Sequence, residues 1–140
     1  MLIVPFSPRA PATEGYRAVR THLLMASGDK KMGALLVTSP GPAEGKSTTI
    51  GNLACSFAQG GKKTLLVSAN MRRPSLFKTF GLNRERGLAE ILVGELSWRE
   101  VIKDHRDLAI GERAGEGLAT APGIENLYFI TCGGRTLQPA

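Results

Sequence analysis

An apolar run, Leu35-Leu36-Val37, feeds a Pro/Gly-rich loop, Thr38 to Glu44, that ends in Gly45-Lys46-Ser47-Thr48 and opens a helix. That order is what a phosphate cradle requires. Small loop residues let backbone N–H groups approach phosphate oxygens, and a helix N-terminus adds partial positive charge. A lysine reaches the β- and γ-phosphates and the next hydroxyl ligates Mg²⁺, roles that fall to Lys46 and Ser47. Pro42, Ala43, Glu44, Gly45 and Thr48 complete the candidate cofactor-binding set. Two positions depart from the strict pattern: Pro40 stands where the first glycine belongs, and Ala43 where many such loops carry glycine. Gly-Lys-Ser-Thr alone would be satisfied by a helix start after a turn. An apolar strand before it and a helix after it select nucleotide binding.

With 140 residues the sequence predicts one domain with a real core, residues 13–140, behind an extended leader, residues 1–12. The longest apolar runs fall far short of the roughly 20 residues of a membrane span. The first residues lack the basic and apolar regions of a signal peptide. Cys55 and Cys132 have no metal spacing, and read as buried, reduced thiols. The net charge of +6 is concentrated: residues 62–86 hold seven basic side chains against Glu85, and the rest balance at eleven against eleven. Such a cluster can face phosphates or anionic surfaces, or simply water. With no interleaved aromatic residues and no nucleic-acid motif, it does not predict DNA or RNA binding.

Pro5, Pro8 and Pro11 keep the leader extended. Thr13 is the expected N-cap of a helix running to about Ser27, with Tyr16, Val19 and Leu23 on one face and Glu14, Arg17 and Arg20 on another. After a polar turn at 28–33, Ala34–Val37 has the all-apolar character of a buried parallel strand. Ile50, Leu53, Ala54, Phe57 and Ala58 form a helical core stripe, and Gly60-Gly61 ends that helix. Thr64–Val67 is the next strand, which makes a βαβ unit and predicts an α/β fold with ligand at the carboxyl ends of the strands. Ser75–Phe80, Arg86–Val93 and a segment capped by Ser97 read as helical. In the last, Trp98, Val101 and Ile102 fall on a stripe expected in the core. Asp107–Ile110 is a short strand candidate, residues 111–123 a surface loop, and Leu127–Thr131 a further strand.

Three stretches in order resemble the cytoplasmic domain of bacterial tyrosine kinases, the capsular-polysaccharide, chain-length-determinant relatives of the partitioning ATPases. They are the Glu14-x-x-Arg17-x-x-Arg20 helix, the Pro42-x-Glu44-Gly45-Lys46-Ser47-Thr48 loop, and Lys63 to Pro74 with the following Phe80-Gly81-Leu82 and Gly87-Leu88-Ala89-Glu90. The resemblance covers residues 9 to about 134. It implies a P-loop NTPase fold with a mostly parallel sheet flanked by helices. It also implies Mg-ATP as cofactor, Arg72 and Arg73 near the nucleotide, and homo-oligomer assembly through Glu14, Arg17 and Arg20. Phosphoryl transfer to protein tyrosine, a membrane co-polymerase or activator partner, and a cytoplasmic place at the inner membrane through that partner follow as well.

The same comparison exposes departures. The family's second motif carries two aspartates, and here those candidate catalytic positions are Ser68 and Asn70. Neither is an effective base near neutral pH, and both are weaker Mg²⁺ ligands than a carboxylate. A third motif, an apolar strand ending in Asp, is not recognisable, and the tyrosines are Tyr16 and Tyr128 rather than a terminal cluster. The chain therefore reads as an incomplete version of the domain. Three functions follow as expectations: a kinase domain for exopolysaccharide synthesis with weak or absent transfer, an inactive nucleotide-binding or assembly module, or a partitioning-type ATPase. The last usually shows a second lysine early in the loop, and residues 39–43 contain none.

Overall fold

The helix that follows the phosphate loop is buried nearly all round, and the rest of the chain is wrapped on it. In the computed structural model, which describes residues 1–108 and 117–135, α2 runs Lys46–Gln59, and residues 51–58 are all buried. The expected stripe explains one side only. Asn52 and Ser56, between the apolar positions, are buried as well. They face α1 (Pro11–Ser27) and the first residues of the chain, while Leu53, Ala54 and Phe57 face the sheet side.

The sheet has two described strands, β1 (Thr64–Val67) and β2 (Leu127–Ile130), parallel and in register from Thr64 with Leu127 to Val67 with Ile130. Between them lie three short helices, α3 (Leu76–Phe80), α4 (Leu88–Leu92) and α5 (Trp98–Val101). The outer edge of β2 is covered by Lys103, which exchanges two backbone bonds with Phe129 at 2.8 and 2.9 Å. Leu66, Phe80, Leu82, Leu108, Leu118 and Phe129 belong to one buried cluster with Ala54 and Ala58 of α2. Both cysteines are buried and unpaired, and burial pushes the Cys55 thiol up to about 12.

Several expectations are corrected. The leader is not merely extended. It turns at residues 4–6 and 8–9, and Leu2 and Val4 are core residues. The side chain of Asn52 holds it there, accepting from the N–H groups of Ile3 (2.6 Å) and Val4 (3.0 Å) and donating to the carbonyls of Met1 (3.1 Å) and Thr48 (2.9 Å). Thr13 does not cap α1. Ala10 precedes the helix, Pro11 occupies its first turn, and Thr13 is buried with its hydroxyl on the Ser7 carbonyl at 2.7 Å. Val19 is exposed because α1 meets α2 through Tyr16 and Arg20 instead.

The strand expected at Ala34–Val37 does not form. That run pairs with no described residue, and Leu36 is 83% exposed. An all-apolar strand is stable only with neighbours on both edges and cover on both faces, and the described residues supply neither. The helix expected over 86–93 is shorter, Leu88–Leu92, because Gly87 packs against the backbone of Thr131 and Gly133 with no room for a Cβ. Trp98 is 48% exposed, with the Arg99 guanidinium 4.5 Å from its ring; α5 is one turn long, so only Val101 reaches the core. The strand candidate at 107–110 is corrected at its start: Asp107 closes a 3-10 turn from His105 and Leu108 is core, while residues 109–110 lie outside the described residues. Residues 117–120 form a turn, and the earlier part of the expected 111–123 loop also lies outside them.

Glu90 ties α4 to the segment after β2. Its buried carboxylate accepts N–H groups from Gly87 (2.8 Å), Gly134 (3.1 Å) and Arg135 (3.1 Å). Desolvation raises its pKa, but these donors together outweigh burial and hold it below the usual glutamate range. A carboxyl depressed in the folded state contributes stability above its unfolded pKa and loses it as pH falls through the folded value. Stability should therefore drop as pH falls below the ordinary glutamate range. Glu90→Gln should already be less stable at pH 7 and show a shallower acid loss in parallel denaturation series. Equal slopes for the two proteins would remove Glu90 from the account.

Candidate nucleotide-binding site

The loop from Thr38 to Gly45 leads into α2 with two left-handed residues, Ala43 (φ 57) and Gly45 (φ 86). Ala43 is the one non-glycine residue with positive φ among the described residues, which accounts for glycine being common at such a position. A β-carbon in the left-handed region costs roughly 1 kcal/mol, so the turn is held by its neighbours rather than by preference. Gly41 donates to the Glu44 carboxylate at 3.0 Å across that turn. The Gly41 N–H is the chief cause that lowers the Glu44 pKa.

Lys46 folds back over the loop. Its Nζ donates to the Ser39 hydroxyl at 2.6 Å and to the Gly41 carbonyl at 2.7 Å. Both acceptors are neutral, and the Glu44 carboxylate, which also pairs with the Ser39 hydroxyl, lies near enough for its charge to attract the ammonium. The first turn of α2 has no side-chain acceptor for its N–H groups. A positive side chain with weak partners beside unpaired helix donors is the arrangement that an anionic phosphate completes. The residues present therefore fit nucleotide phosphates.

Ser47 carries the link to the second segment. Its hydroxyl lies 2.8 Å from that of Ser75, just before α3. Ser75 thus joins the site, although sequence reasoning passed over it; the one signal was its position as a possible cap after Pro74. The expected acid positions behave as neutral structural groups. Ser68 is buried and continues the sheet ladder by donating its N–H to Ile130 at 2.9 Å. Asn70 is exposed and closes a local turn by accepting the Arg73 N–H at 3.0 Å. The Arg72 and Arg73 side chains are exposed next to this turn. Among the described residues there is no cluster of three His, Cys, Asp or Glu side chains that could hold a metal ion.

On α1, Arg17 pairs with Glu14, whereas Arg20 reaches across to the Ser56 carbonyl of α2. The three residues of the expected assembly face are thus split between an exposed ion pair and an internal tie.

No protein-family model matches the chain. Curated relatives and solved structures do. Over 102 residues it is 39% identical to the tyrosine-protein kinase YwqD of Bacillus subtilis, covering 73% of this chain and 43% of that protein. A superposition on the chimerical protein CapA2B2 has a TM-score of 0.74 at 32% identity, covering 94% of this chain and 50% of that one. The chain is a relative of the bacterial tyrosine kinases. The kinase domain of Escherichia coli ETK gives a TM-score of 0.76 at 27% identity, covering 94% of this chain and 45% of that one. This kinase relative spans about half the length of these three proteins, and its architecture is a portion of their P-loop fold.

Proposed function

We propose that this chain binds Mg-ATP at the 38–48 loop, as the nucleotide-holding part of a tyrosine-kinase domain that serves exopolysaccharide synthesis and export. The observation that carries this reading is Lys46, whose ammonium rests on two neutral oxygens at the mouth of a helix N-terminus with unpaired donors. Lys46 would exchange those acceptors for phosphate oxygens. Beside Pro42, which has no N–H, the loop N–H groups from Ala43 onward and the Thr48 side chain would complete the cradle. Ser47 would turn from Ser75 to the cation, which when bound supplies charge neutralisation along the phosphates. Arg72 and Arg73 would add positive charge at the nucleotide edge. The names and titles of the relatives support the kinase class.

Phosphoryl transfer by these residues is weak or absent in this reading. Proton acceptance from a tyrosine hydroxyl needs a base of matched pKa, and Ser68 and Asn70 can only hydrogen-bond. Assembly into homo-oligomers through Glu14, Arg17 and Arg20, and a membrane co-polymerase partner, belong to the same proposal. Among the described residues no helix is long and apolar enough to cross a membrane. A place at the inner membrane through the partner belongs to the same proposal.

Calorimetric titration with Mg-ATP tests the binding claim. Saturable binding that Lys46→Ala reduces by roughly a hundredfold or more is expected, equivalent to about 3 kcal/mol for a charge-assisted contact. Phosphotyrosine formation after incubation with ATP should stay at background in both proteins. Absence of binding at millimolar Mg-ATP would reduce the chain to an interaction module, and a strong Lys46-dependent phosphotyrosine signal would restore a complete kinase.

A further inference from the structure

Ser75 stands directly before α3, where a serine has an ordinary structural use, and its hydroxyl is not put to that use. A serine in this position commonly accepts a backbone N–H from the first turn of its helix. Here the Oγ accepts none of them. The Ser75 carbonyl takes the N–H groups of Lys78 (3.1 Å) and Thr79 (3.2 Å). The hydroxyl meets that of Ser47, 28 positions earlier in the sequence, at 2.8 Å. Both residues are half-buried.

Ser47 is the residue to which the loop motif assigns Mg²⁺. A small divalent cation holds its oxygens at about 2.1 Å in an octahedron, which places neighbouring ligands roughly 3 Å apart. The separation of the two hydroxyls matches one edge of that octahedron. The expected acid positions do not compete for the place. Ser68 is buried and continues the sheet ladder, and Asn70 closes its own turn with Arg73. Neutral oxygens are weaker ligands than carboxylates, but Mg²⁺ keeps several waters and takes phosphate oxygens from the nucleotide, so two hydroxyls suffice. We infer that Ser75 is a second protein ligand of the nucleotide's cation, beside Ser47. The inference rests on Mg-ATP binding at the 38–48 loop. On loading, the two hydroxyls give up their mutual hydrogen bond and turn their lone pairs to the cation. The pair joins α2 to α3, so the loaded cation also ties the basic segment that ends at Ser75 to the phosphate loop.

Calorimetric titration of the intact chain with ATP, in Mg²⁺ and in EDTA, separates the two claims. The wild-type chain should bind ATP more tightly with Mg²⁺ than without it. Ser75→Ala should keep the EDTA affinity, which also shows that it folds, and lose roughly tenfold of the Mg²⁺ gain, about the size of one polar contact. Ser75→Cys should match Ser75→Ala in Mg²⁺. Cd²⁺ should then restore the cysteine variant but not the alanine one, because a thiolate selects a soft cation. No ATP binding by the wild-type chain, with or without Mg²⁺, would sink both readings. A full Mg²⁺ gain in Ser75→Ala, or none in the wild-type chain, would overturn Ser75 as a ligand and leave nucleotide binding in place. A loss in Ser75→Cys that Cd²⁺ does not repair would overturn it too, and reduce Ser75 to orienting Ser47.

Discussion

Asn52→Ala should lower the folding stability by about 3 kcal/mol, read as a shift of the urea midpoint with an unchanged slope. The side chain is fully buried and makes four hydrogen bonds, so its removal strands the N–H groups of Ile3 and Val4 and takes a donor from the Met1 carbonyl, while the Thr48 carbonyl keeps its helical bond. Each stranded buried group costs roughly 1–3 kcal/mol, offset where water can reach the exposed first residue. For a domain of this size the melting temperature should fall by on the order of 10 °C. Amides 3 and 4 should lose exchange protection before those of α2. A loss below about 0.5 kcal/mol, the range of ordinary surface changes, would mean that residues 1–5 are not part of the cooperative unit.

Phe80→Ala should cost about 3–5 kcal/mol, the range for deleting a buried aromatic ring. Phe80 has no exposed surface and packs against Phe129 of β2 with ring centroids 4.8 Å apart and planes tilted by 56°. It also touches Gly51, where an added Cβ would meet the Phe80 ring at 3.4 Å. One ring therefore joins α3, the sheet and the second turn of α2. Against a total of roughly 5–15 kcal/mol, the variant should be marginally folded at 37 °C. Phe80→Leu, which keeps most of the volume, should recover more than half of the loss. Equal behaviour of the two variants would show that packing at this point is loose.

Residues whose pattern is local were legible in the sequence. The stripe on α2, the Gly60 stop, β1, β2 and the loop ending in Lys46 were all readable from spacing and glycine placement, and the resemblance to bacterial tyrosine kinases rested on those same residues. Three kinds of feature were not. Asn52 looks like any polar residue in a helix, because its meaning lies in carbonyls and N–H groups about fifty positions away. Ser75 gives no signal by itself, since a hydroxyl becomes part of a site only when folding brings another hydroxyl to it. Ala34–Val37 fails for the opposite reason. Its composition specifies a buried central strand, and the described residues provide no neighbours for it. Its pattern is that of a larger sheet than the described strands form.

The burial of residues 51–58 of α2 has a kinetic consequence. Its contacts reach from Met1, through the Asn52 bonds with sequence separations of 48 to 51, to Asn126, whose amide meets the Ala58 carbonyl 68 positions away. The helix can form early from local bonds, but it cannot be enclosed until both distant parts of the chain have closed onto it. Loop closure over such spans is costly before any contact rewards it, and high contact order slows folding. A ribosome delivering this chain would present α2 with one side bare until β2 emerged. The segment that carries the phosphate loop would therefore be among the last to become rigid, although it lies in the first half of the sequence.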